Sequence, residues 1–163
     1  MPLTPEWSNF FTAELGALAA LTGFVVVAIS INLARILEFA WLPSRAAEAL
    51  IGPVGAITAT GLILMPEQSP TLLGAAILAT GLVMLLAPIV IQLRSWSFRK
   101  EVTAVERIVR FAASAGLGLL IVIGAALVIA GARSGLDWLA IGDIAAIVAV
   151  VLNAWILMIE ILR

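Results

Sequence analysis

The chain has 163 residues, 63% of them hydrophobic and 12% charged, where a soluble domain carries roughly 45–50% apolar and about 25% charged residues. So little polar surface cannot cover a water-soluble globule, and the expected solvent is lipid. A net charge of −1 recruits no nucleic acid, and the absence of Cys and His removes disulfides, thiol nucleophiles, zinc-thiolate and haem-His sites and His proton relays.

Five apolar segments follow, each of about 20 residues or more, the length that crosses roughly 30 Å of hydrocarbon. The first is expected over 9–36, centred on "LGALAALTGFVVVAI". Only Glu6 is charged ahead of it, and a run this long without a basic lead-in reads as a retained span and not as a cleaved signal peptide. Glu14 near one end and Asn32 near the other lie five full turns apart, on one face of a continuous helix. From Glu14 to Arg35 is about 32 Å at the helical rise, close to one bilayer core. Two readings stay open: the pair marks the two rims, or their face lines a polar path.

The second segment, 45–65, ends at Pro66 and contains Gly52, Pro53, Gly55 and Gly61. Pro53 falls early, where a missing N–H costs least, so any kink is mild. The third, 70–94, is preceded by "EQSP", which sets Ser69 as N-cap and Pro70 at the first helical position. Pro88 frees the Met84 carbonyl and predicts a kink. Gln92 and Arg94 end this segment beside the start of the second, where an ion pair with Glu48 is expected.

The fourth segment, 104–131, opens on "TAVE", a capping box of Thr103 and Glu106. Its pairs Ala112/Gly116 and Ser114/Gly118 are spaced to let helices approach closely. The fifth, 135–162, carries Asp143 well inside it, Asn153 deeper still and Glu160 at the far rim. A charged Asp near mid-membrane costs about 2.5–3.5 kcal/mol on insertion scales, so Asp143 is expected to face protein or water, with Arg133 and Glu14 as candidate neighbours. Asn153 is expected to find a partner on another helix. Glu160 is expected to reach headgroup water.

The segments are continuous, without the alternation of barrel strands, and their backbone groups must be satisfied internally, so all five are predicted helical. The expectation is an all-α, polytopic transmembrane bundle forming one domain over 1–163. With the N-terminus outside and the C-terminus inside, eight of the nine basic residues fall on the inner side and only Arg133 lies outside. Trp7 and Trp138 then mark the outer rim, and Trp41 and Trp96 the inner. Trp155 is the exception.

Three stretches together, "FFTAELGALAALTGFVVVAISINLARIL", "LPSRAAEALIG" and "LNAWILMIEILR", carry a resemblance over nearly the whole chain. The chain resembles a group of uncharacterised small five-helix integral membrane proteins of the actinobacterial kind, sometimes labelled modulators of the membrane protease FtsH. Better-known modulators of that protease are seven-helix proteins, and this chain has room for five spans. The resemblance implies location in the bacterial cytoplasmic (inner) membrane and supplies no site residues.

No phosphate loop, nucleophile elbow, HExxH or dinucleotide fingerprint is present. The expected function is therefore non-enzymatic and without a cofactor or metal site: a partner-binding or regulatory membrane component, in contact with the lipid bilayer and with a membrane-protein partner or further copies of itself. The alternative is a small oligomeric channel or proton-coupled transporter using Glu14, Asn32, Asp143 and Asn153 as a candidate intramembrane polar site.

Overall fold

In the computed structural model, the structure describes residues 4–95 and 104–162; the side chains of 95, 104–107, 110, 156–158 and 160–162 lie outside that description. The described residues form six α-helices and no strand. They are α1 (Pro5–Ile31), α2 (Leu33–Glu38), α3 (Leu42–Leu64), α4 (Pro70–Ser95), α5 (Ala104–Ile129) and α6 (Ser134–Leu162). Five of them, all but α2, are long and apolar enough to cross a membrane.

The first expected segment is not one helix. It begins earlier, at Pro5, and breaks at Asn32, whose backbone (φ −101°, ψ 13°) leaves helical geometry. The Asn32 Nδ2 donates to the Ala28 carbonyl at 2.8 Å, the acceptor that its own backbone N–H also reaches at 3.3 Å. A short amide side chain competing for a backbone acceptor is a known way to interrupt a helix. The chain then resumes for six residues as α2 and turns through Phe39 and Trp41 into α3, which starts at Leu42.

The expected start of the third segment holds. The Ser69 Oγ accepts the Leu72 N–H at 3.2 Å, with Pro70 opening α4. Helices α3 and α4 both continue through their prolines, Pro53 and Pro88. The capping box at Thr103 and Glu106, the rim position of Trp96 and the Glu160 side chain fall outside the described residues.

Helix α3 is central and touches every other helix. It can do so because its inner face is mostly small: Ala46, Ala49, Ala56 and Ala59 are buried along it. Helix α1 packs on α3 and α6, while α4 and α5 form a tight antiparallel pair on the other side. Glycine sets that pair's spacing. A Cβ placed on Gly118 would stand 2.6 Å from the Leu85 backbone nitrogen, a distance real Cβ atoms do not show. The α5–α6 turn closes on Gly131 at φ +73°, in the region open to glycine at little cost.

The core divides into layers stacked along the α1–α3–α6 interface. Phe11, Ile63 and Leu139 belong to one layer, Leu18, Ala56 and Ala146 to the next, and Val25, Ala49 and Val150 to a third. Near the far end, Ile36 of α2 packs on Leu42 of α3.

Candidate functional site

Between the first two apolar layers lies a polar one. On α1, Glu14 sits between buried Phe11 and Leu18; on α3, Thr60 sits between Ala56 and Ile63; on α6, Asp143 sits between Leu139 and Ala146. The spacings 11–14–18, 56–60–63 and 139–143–146 are those of residues stacked along one helical stripe. Each polar residue therefore occupies a position that its helix aims at the interior.

Asp143 is 1% exposed and Thr60 is fully buried. Thr60 Oγ1 stands 2.6 Å from Asp143 Oδ2 and 2.8 Å from the carbonyl oxygen of Ala56. A hydroxyl carries one hydrogen. If Asp143 is ionised, Oγ1 meets two acceptors and can donate to only one. If Oδ2 carries a proton, Asp143 donates to Oγ1 and Oγ1 donates to Ala56, and both short distances are hydrogen bonds.

Two further oxygens of this layer are buried without a hydrogen-bond partner among the described residues: Asp143 Oδ1 and Glu14 Oε2. Glu14 is half-buried and close enough to Asp143 for the two carboxyl groups to interact electrostatically. Buried acceptors are costly when left unmade, ~1–3 kcal/mol each and more for a charge. The layer is thus short of hydrogen-bond donors. A proton carried by one of the carboxyls, or a small cation, is the chemistry that supplies the shortage. No group of three or more Asp, Glu, His or Cys gathers among the described residues.

Of the four residues expected to line one path, the structure brings together Glu14 and Asp143 only. Asn32 lies more than four turns of α1 away, with its amide engaged at the helix break. Asn153 is half-buried on α6 beside the Val25–Ala49–Val150 layer and makes no hydrogen bond among the described residues. Arg133 is not a neighbour of Asp143: it lies in the α5–α6 turn, beyond the Phe11–Ile63–Leu139 layer. The expected pair of Glu48 with Arg94 is replaced by a local one. Glu48 Oε2 meets Arg45 Nη1 at 3.2 Å with both side chains nearly buried, and Gln92 Nε2 donates instead to Ser114 Oγ on α5, also at 3.2 Å.

Thr60 carries neither charge nor amide, so nothing in its local sequence marks it. The signal that finds it is positional: it falls on the small-residue stripe 46–49–53–56–60–63 of α3, where a hydroxyl meets another helix.

No family model matches the chain, and neither a curated protein nor a solved structure matches it.

Proposed function

We propose that the chain is a non-enzymatic, five-span protein of the bacterial cytoplasmic membrane, N-terminus outside and C-terminus in the cytoplasm, acting as a small proton-coupled transporter or channel. Its working centre is the Glu14–Thr60–Asp143 layer. The observation that carries this reading is the convergence of two carboxyl groups from different helices in an apolar interior, with Asp143 Oδ1 and Glu14 Oε2 both lacking donors. An ionisable residue inside a membrane span is costly, and its usual justification is a proton or ion path.

The membrane assignment draws on the apolar exterior. Large side chains such as Phe24, Ile31, Val83, Leu93 and Ile108 stand outward along the helices. The orientation draws on the one-sided distribution of Arg and Lys.

The test is proton flux into liposomes holding purified protein and a pH-sensitive dye, under an imposed potential. Wild type is expected to conduct protons. Asp143→Asn, which keeps the side-chain shape, is expected to remove the flux while helicity and elution volume stay unchanged. Absence of flux in wild type, or undiminished flux in both Asp143→Asn and Glu14→Gln, rejects the proposal.

A second reading, a regulatory component that docks on another membrane protein, finds support in one observation. A Cβ added at Gly16 or Gly23 meets nothing within 4 Å, so α1 leaves a small-residue face open. Cross-linking in native membranes should then recover one reproducible partner through residues on that face, and recovery of this chain alone counts against it.

A further inference from the structure

A cleft of about 750 Å³ opens at the end of the bundle where α1, α4 and α6 begin. That volume is within the range of ligand sites, ~300–1,000 Å³. Its walls are apolar, with Leu73 of α4, Val128 of α5 and Leu136 of α6, and its mouth carries Arg133 and Glu67. Gln68 Nε2 donates to the Leu62 carbonyl at 3.2 Å and ties the α3–α4 turn over the end of α3, so this side of the mouth is held in place.

Two features of the charge pattern matter. Arg133 and Glu67 line the same cleft, yet neither joins an ion pair among the described residues. Among the described residues the charges around this end are also unbalanced, with Glu6, Glu67 and Asp137 on the turns and first helical turns against Arg133. A purely anionic ligand would gain the Arg133 cation and meet the Glu67 carboxylate in the same cleft, with Glu6 and Asp137 adding negative charge at the same end of the bundle. A ligand bearing both an anion and an N–H-donating cation satisfies both sides of the mouth, and its apolar portion suits the leucine and valine walls.

We propose that this cleft binds a phospholipid with a phosphoethanolamine headgroup. The phosphate lies toward Arg133, the primary ammonium toward Glu67, and the glycerol and first methylenes lie between α4, α5 and α6. Guanidinium is suited to phosphate by its fork of donors. A primary ammonium donates hydrogen bonds to a carboxylate, whereas a quaternary one cannot. The inference rests on the membrane reading, because the occupant is a bilayer lipid, and is independent of the carboxyl layer below.

The experiment is native mass spectrometry of the full chain in detergent, titrated with phosphatidylethanolamine, phosphatidylcholine and phosphatidylglycerol of identical acyl chains. Phosphatidylethanolamine should be retained about fivefold better than either other lipid, the ratio that one exposed charge-assisted contact of ~1 kcal/mol supports. Glu67→Gln should remove the preference over phosphatidylcholine. Arg133→Gln should weaken all three lipids while leaving an uncharged diacylglycerol unaffected. Equal retention of the three lipids, or a preference that neither substitution moves, overturns the inference. Carbonate extraction of native membranes separates the two failures. Release of the wild-type chain without detergent rejects the membrane reading and this inference with it. A membrane-retained chain without lipid preference rejects this inference alone.

Discussion

The contact between Thr60 and Asp143 allows a quantitative test of the polar layer. Thr60→Val keeps the side-chain shape and deletes the hydroxyl. The Ala56 carbonyl loses only an extra acceptor role, but Asp143 loses its one recorded hydrogen bond and both of its oxygens are then without a partner. Loss of a hydrogen bond between membrane helices averages about 0.6 and reaches about 1.7 kcal/mol. A buried polar atom left orphaned costs about 1–3 kcal/mol. Because Asp143 is 1% exposed, water cannot replace the hydroxyl without opening the interface, and the expected loss is about 1.5–3 kcal/mol. In an Asp143→Leu background the orphan no longer exists, and Thr60→Val should cost less than about 0.5 kcal/mol. Unfolding in mixed micelles by SDS titration, measured for wild type, both single variants and the double, yields the coupling as the difference. Equal effects of Thr60→Val in the two backgrounds would refute the pairing and the geometry built on it.

Glycine spacing makes a second expectation: Gly118→Ala should destabilise by about 1–3 kcal/mol by forcing α4 from α5, whereas Gly116→Ala, which meets nothing within 4 Å, should be neutral or slightly stabilising in the same titration. The two ion pairs among the described residues should also separate by burial. Glu48→Gln breaks a pair with side chains 11% and 5% exposed and should cost several kcal/mol, as for other buried pairs that lose one partner. Glu38→Gln breaks an exposed pair with Arg35 and should cost less than about 1 kcal/mol.

Much of the architecture was legible in the sequence because lipid-sized helices announce themselves by length and continuity. The Ser69–Pro70 start of α4 was legible too, since a cap is a local device whose partners lie within one turn. The break at Asn32 was not. Side-chain capture of the Ala28 carbonyl competes with a backbone bond of similar strength, and the apolar run continues across the break without a mark. The shared face expected for Glu14 and Asn32 requires a continuous helix over 9–36, which the break at Asn32 ends.

The site was half legible. Cost alone singled out Asp143, and burial at 1% agrees with the expectation that it faces protein. Of its two expected neighbours, Glu14 lies close to it and Arg133 does not, while its hydrogen-bond partner Thr60 carries no charge that would single it out in the sequence. Read as stripes, 11–14–18 on α1, 56–60–63 on α3 and 139–143–146 on α6 each place one polar residue, Glu14, Thr60 and Asp143, at the same level. Which stripes face each other is a tertiary fact, set by the small α3 face and absent from any single helix.

The depth of the layer bears on what it is for. Asp143 stands nine residues into α6, about 14 Å along its axis, and Glu14 stands equally far into α1. With Trp7 and Trp138 at the rim, Glu14 lies about 11 Å and Asp143 about 8 Å below it along their helices, inside a hydrocarbon core of ~30 Å and on the half nearer that rim. A layer serving only to hold helices together would be improved by apolar residues of similar volume, which often match or exceed a buried polar group in stability. Asp143→Leu therefore separates stability from work. If the variant is as stable as wild type or more so and yet conducts no protons, the carboxyl is present for proton transfer and not for packing. If stability and flux fall together, the layer is structural glue, and transport through it loses its main support.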